Sequence, residues 1–249
     1  MHTAATPRWI TAFVDVPDEA YEATVRFWAE ALGARVSPAR GAREEFVTIV
    51  PTDGDAVLKV QKIMEGEARV HLDLHVDDVD AAVAQAEGAG GRLLARPEAS
   101  YAVVASPAGL VHCFVTHDAS RRPAPAAGPS GARSALDHLC IDAPSDQHAA
   151  EMAYWTALWG WDHTRSEDLP EFGWWAAPDT IPFTVLSQEI GDGSARFHLD
   201  LHTSALDGAV DDLRALGAQE AAGGGRFWRV LRDPAGLVLC VVGDPRLTD

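Results

Sequence analysis

The chain reads as an α+β protein made of two tandem domains, and three observations predict this. First, "RVHLDLHVDD" (Arg69 to Asp78) returns as "RFHLDLHTSA" (Arg196 to Ala205), placing His71 and His198 127 residues apart. Second, the same step carries "VDVP" (Val14 to Pro17) onto "IDAP" (Ile141 to Pro144) and "SPAGLVHC" (Ser106 to Cys113) onto "DPAGLVLC" (Asp233 to Cys240). Third, "ASRRPAPAAGPSGAR" (Ala119 to Arg133) lies between the copies and is rich in Pro, Ala and Gly, as linkers are. A period this long is a duplicated domain rather than a solenoid repeat. The expected divisions are residues 1–118, a linker at 119–133, and residues 134–249.

The second copy shows the order of elements most clearly. "ALDHLCIDAP" predicts a strand, and "SDQHAAEMAYWTALWGW" an amphipathic helix with Ser145 and Asp146 as candidate caps and a stop near Gly160. "EFGWWAAP" and "IPFTVLSQEI" predict two more strands. "ARFHLDLHT" predicts the next strand, followed by a helix with apolar Leu206, Val210, Leu213 and Leu216, closed by Gly217. "RFWRVLRDPAGLVLCVVGD" predicts two final strands around an Asp-Pro-Ala-Gly turn.

Charge narrows the ligand class. Twenty Lys plus Arg stand against 37 Asp plus Glu, a formal charge of −17, and Lys59 and Lys62 are the only lysines. Such a surface repels phosphate backbones and anionic lipid, so neither nucleic acid nor membrane is an expected partner, and a small molecule is. No apolar run reaches the length of a membrane helix, and the start carries no basic-then-apolar signal region. Three cysteines without CxxC spacing suit a reducing, cytoplasmic setting. The duplicated chain predicts a monomer that is already a pseudo-dimer, or a homodimer.

Three segments, "LDHLCIDAP" with its following "YW" helix, "HLDLHVDDVDAAVAQAEGAGG" and "DPAGLVLCVV", together resemble the vicinal-oxygen-chelate superfamily of glyoxalases, extradiol dioxygenases and bleomycin-binding proteins. The resemblance covers nearly all of the chain outside the linker, twice. It implies paired βαβββ modules that curl each sheet into a cup, often above a divalent metal (zinc, iron, manganese or nickel). The metal ligands it implies are a first-strand His or Gln, a His on the strand opening the second half, and a Glu on the last strand. In the second domain those positions hold His138, His198 and Cys240; in the first they hold Thr11, His71 and Cys113. Both copies lack the glutamate. The site therefore has either one metal in the second domain or none. A thiolate is a good zinc ligand, and a cysteine between Leu239 and Val241 is also a common small core residue.

Alternation along a strand puts His198, Asp200 and His202 on one face, and His71, Asp73 and His75 on the matching one. A carboxylate amid leucines is either paired in a structural network or functional, and Asp200 and His202 are the candidate proton-moving residues. Trp155, Trp159 and Trp161 are expected in the core. Trp174, Trp175, Phe183 and Trp228 are candidates for a ligand wall, with only one of Trp174 and Trp175 able to face inward. Trp228 stands opposite Tyr101, so the second copy is the expected working site. The leading expectation is a glyoxalase-like lyase, isomerase or ring-opening enzyme. Two alternatives stand beside it: a binder that sequesters an antibiotic or metabolite, and a metal-free acid-base enzyme using Asp200 and His202.

Overall fold

The computed structural model of the chain describes residues 5–248. The first repeat runs β1 (Trp9–Pro17), α1 (Asp18–Ala31), β2 (Arg35–Val36), β3 (Phe46–Val50), β4 (Leu58–Ile63), β5 (Arg69–His75), α2 (Val79–Gly88), β6 (Arg92–Glu98), β7 (Tyr101–Ala105) and β8 (Val111–Val115). After β9 (Ala126–Ala127), the second runs β10 (Arg133–Pro144), α3 (Ser145–Trp159), β11 (His163–Arg165), β12 (Phe172–Trp175), β13 (Thr184–Ile190), β14 (Arg196–Thr203), α4 (Leu206–Ala215), β15 (Gln219–Glu220), β16 (Trp228–Arg232) and β17 (Val238–Gly243). Each repeat builds one open, curved sheet. The strand orders, β2-β3-β4-β1-β5-β8-β7-β6 and β11-β12-β13-β10-β14-β17-β16-β15, are the same topology written twice. This is the duplicated α+β architecture that the repeat predicts.

Local chemistry explains the element ends. α3 stops at Gly160, whose φ of 65° is a left-handed cap that glycine adopts without a Cβ clash. Ser145 and Asp146 do not cap α3, because the cap position falls on Pro144 and Ser145 is already helical. The Ser145 hydroxyl donates instead to the Ile190 carbonyl. The segment expected to be a plain linker contributes β9, which pairs with the start of β10.

Packing groups the chain differently from the sequence repeat. One compact unit contains the residues up to Ala12, His71–Ser120 and Leu139–Phe197; the other contains Phe13–Val70, Arg121–His138 and the chain from His198 on. Each unit thus joins the second half of one repeat to the first half of the other. In the first unit, Trp155, Trp159 and Trp161 are buried as a stacked run, with neighbouring centroids 4.9 and 5.0 Å apart. In the second, α1 buries Phe27 and Trp28, while α4 turns Ala209 and Leu213 onto a crevice shared with Leu201 of β14. Among the described residues no helix is long and apolar enough to cross a membrane.

Candidate functional site

Leu201 faces α4, so strand alternation sends His198, Asp200 and His202 to the opposite face of β14. Strand β17 runs parallel to β14, and its register sets Asp200 beside Cys240 and His202 beside Val242. Strand β16 continues both rows, with Val230 beside Cys240 and Trp228 beside Val242. Trp228 is 40% exposed on this face and the neighbouring Phe227 62%.

Besides a buried group that joins Cys140 and Asp142 of β10 to His198, two groups of donors result. In the first, His198 Nε2 lies 3.2 Å from Asp200 Oδ1 and 3.8 Å from Cys240 Sγ. One donor atom from each of the three falls within 4.8 Å of the other two. His198 and Asp200 are buried, and Asp200 Oδ1 makes no hydrogen bond among the described residues. In the second group, His138 Nδ1 lies 2.8 Å from Asp137 Oδ1, and the His138 and His202 rings sit 3.8 Å apart at 40°. His202 Nδ1 is 3.4 Å from that same Asp137 oxygen and 3.8 Å from Asp244 Oδ2. Asp244 accepts hydrogen bonds from the Arg246 guanidinium at 2.9 and 3.1 Å, and this contact holds its carboxyl down at about 2. Burial, and next the neighbouring His138, lower the His202 imidazole from its usual range, although three carboxylates nearby act in the other direction.

The three positions carried over as metal ligands therefore part company. His198 and Cys240 meet, and Asp200 completes their group. His138 stands instead with Asp137 and His202. Asp137 and Asp244 were not singled out from sequence. A signal for both was available, since their counterparts one repeat back, Ile10 and His117, are not carboxylates.

The first repeat shows the same triad in a looser form, with its cysteine otherwise engaged. His71, Asp73 and Cys113 cluster, but His71 Nε2 and Asp73 Oδ1 are 4.0 Å apart and Cys113 Sγ donates to the Tyr101 hydroxyl at 3.6 Å. Both ring nitrogens of His75 are engaged: Nε2 pairs with Thr11 Oγ1 at 3.0 Å, and Nδ1 pairs with the His117 carbonyl at 2.8 Å. A carbonyl oxygen only accepts, so Nδ1 carries the proton and Nε2 accepts from Thr11.

Among the candidate wall residues, Trp175 is buried and donates from Nε1 to Thr156 of α3 at 2.9 Å. Its neighbour Trp174 faces the other way and is 42% exposed. Phe183 is fully buried just before β13.

A family model for the glyoxalase-like domain matches residues 11–115 and again residues 138–242. The fold is shared with the Mn(II)-bound glyoxalase from Novosphingobium aromaticivorans, at 16% identity and a TM-score of 0.64, over 96% of this chain and 82% of that one. It is shared with the 2,3-dioxygenase LapB from Pseudomonas sp. KL28, at 14% identity and a TM-score of 0.64, over 94% and 91%. It is also shared with the 2,2',3-trihydroxybiphenyl 1,2-dioxygenase from Sphingomonas wittichii strain RW1, at 16% identity and a TM-score of 0.62, over 94% and 89%. Likeness at these identities is likeness of fold. No curated protein sequence matches the chain. Matched twice across most of its length, the chain belongs to the glyoxalase-like domain family.

Proposed function

We propose that the second repeat is a metal-assisted enzyme site for a small organic molecule, with His198, Asp200 and Cys240 as the metal ligands. The convergence of these three donors carries the reading. Ligands around a four-coordinate ion with bonds of about 2.0–2.3 Å lie roughly 3.3–3.6 Å apart, which the 3.2 and 3.8 Å separations bracket. A nitrogen, an oxygen and a sulfur donor together favour zinc or iron(II) over magnesium or calcium, and three protein ligands leave a position open. A metal held there would supply Lewis acidity at a carbonyl or hydroxyl oxygen, the chemistry that lyase, isomerase and ring-opening reactions share.

The chain's own residues supply the rest. Trp228 offers an apolar wall in the row beside the triad, suited to a planar or hydrophobic ligand. The excess of carboxylates disfavours anionic substrates. The Mn(II)-bound glyoxalase of the same fold supports metal use in general. The second repeat is preferred to the first because its triad is tighter and Cys240 has no tyrosine hydroxyl on it.

Metal content of the purified chain tests this. His198→Ala and Cys240→Ala should each lower bound zinc or iron by about one equivalent. Metal unchanged in the double variant would overturn the assignment. The exposed rings of Phe227 and Trp228 favour one other reading, sequestration of an aromatic ligand without turnover. Recovery of the ligand unaltered after denaturation would select it.

A further inference from the structure

We propose a second cation site in the second repeat, built by Asp137, His138 and His202 and separate from the His198–Asp200–Cys240 triad. It would take a divalent transition metal of the iron(II), manganese(II), cobalt(II) or zinc class, held by two imidazoles and one carboxylate. Such a set leaves several coordination positions for water or substrate oxygen.

The geometry carries the assignment. His138 Nδ1 and His202 Nδ1 approach one oxygen, Asp137 Oδ1, at 2.8 and 3.4 Å, and the three donor atoms fit within 4.8 Å of one another. Neighbouring ligands of an ion with bonds of about 2.1 Å lie roughly 3.0–3.4 Å apart.

His202 supplies an independent observation. Only 7% of this residue is exposed, yet its Nδ1 makes no hydrogen bond among the described residues while pointing between the carboxylates of Asp137 and Asp244. Asp137 Oδ1 already has the His138 N–H at 2.8 Å. That leaves a buried nitrogen without a hydrogen bond between two oxygens, an arrangement that folded proteins rarely keep without a reason. A metal ion among the three donors satisfies it. Asp244, anchored by Arg246, approaches that same Nδ1 at 3.8 Å and adds a second negative charge at the edge of the group.

The first repeat supports the reading by contrast. Its counterparts are Ile10, Thr11 and His75, and there Thr11 and the His117 carbonyl engage both His75 nitrogens. At these positions the carboxylate and the second imidazole are thus particular to the second copy.

Cobalt(II) titration of the metal-stripped chain tests the proposal, because the two sites differ in sulfur. The triad should give a near-ultraviolet thiolate-to-cobalt band, and the Asp137–His138–His202 site should bind cobalt without one. The informative variant is His138→Thr, which installs the threonine already tolerated at position 11 and so is expected to fold. It should remove about one equivalent of cobalt and leave the thiolate band intact. Asp137→Asn should weaken the same equivalent. Cys240→Ala should abolish the band and spare this site, so loss of the triad reading and loss of this one are separable. Cobalt stoichiometry unchanged in His138→Thr and in His138→Ala plus His202→Ala would overturn the proposal. Loss of the thiolate band together with that equivalent would overturn it too.

Discussion

The two compact units solve one packing problem with the carboxylate on opposite elements. In the unit containing α3, Trp155 Nε1 donates to Glu151 of its own helix at 2.7 Å, and the other Glu151 oxygen accepts from Ala108 N in the first repeat's hairpin turn at 2.9 Å. In the unit containing α1, the counterpart Trp28 donates at 3.2 Å to Asp233, which belongs to the second repeat's turn and accepts from Ala235 N and Leu237 N. Position 24, opposite Glu151, is threonine, and position 106, opposite Asp233, is serine. In both units a buried indole N–H and a turn share one carboxylate, yet the sequence supplies it once from the helix and once from the turn. What duplication conserves here is the satisfied hydrogen-bond pattern rather than the residue that satisfies it.

Other positions are less evenly matched, and these make the units titrate in opposite directions. In the α3 unit, His112 is fully buried, pairs through Nε2 with the Tyr154 hydroxyl at 2.9 Å, and is pushed down by burial to about 3. Its counterpart is Leu239, and that of Tyr154 is Phe27. A folded-state value below the unfolded one means that folding favours the neutral ring. That stability is whole above about pH 6.5 and is lost as the pH falls toward 3, a span of about 5 kcal/mol. Replacing the pair by the other unit's residues, His112→Leu with Tyr154→Phe, should remove this acid sensitivity. Urea unfolding should show the parent losing about 3 kcal/mol relative to the double variant between pH 7 and 4. Parallel pH profiles would break the comparison.

Asp233 supplies the opposite slope. Burial, only partly opposed by its hydrogen-bond donors, raises its carboxyl to about 6. Folding therefore favours the protonated form, and that stability is present below about pH 3.8 and lost as the pH rises through 6. Asp233→Ser imports the first repeat's residue, whose hydroxyl accepts from Leu110 N at 3.0 Å as Asp233 accepts from Leu237 N. Between pH 4 and 7 the parent should lose about 3 kcal/mol relative to this variant. Since the His112 slope runs the other way, the two contributions to the parent's stability profile oppose one another across that range. Each substitution alone should tilt it, in opposite senses. Two variants tilting the same way would show that one of the two groups is misassigned.

The repeat made the architecture legible, because a constant 127-residue step preserves element order, turn chemistry and hydrophobic alternation together. It could not show that the halves pair across repeats, since the same step results whichever halves pack together. The site was half legible for a related reason. His198, Asp200 and His202 share a face by period two, which the strand reveals on its own. That Asp200 meets Cys240 depends on the parallel register of β14 with β17, a pairing across 40 residues that no local pattern encodes. Asp137 escaped notice because alternation assigns it the face opposite His138, whereas its carboxylate reaches the His138 ring directly.

The smallest difference between the repeats is also the cleanest to reverse. Asp78 caps α2 by accepting from Ala81 N at 2.9 Å, with φ −135° and ψ 106°. Ala205, its counterpart, holds the α4 cap position at φ −142° and ψ 94° with no side-chain bond. The two backbones agree closely, so only the side chain differs, and an N-cap carboxylate is worth about 1 kcal/mol against alanine. Ala205 is exposed, so an added carboxylate stays in water. Ala205→Asp should therefore raise stability by about 0.5–1 kcal/mol, and Asp78→Ala should lower it by a similar amount, both read from urea midpoints. Exchanging the two residues should leave the sum nearly unchanged, because the caps sit in different units and share no partner. A large net change in that exchange would mean that α2 and α4 are not equivalent in the way their backbones indicate.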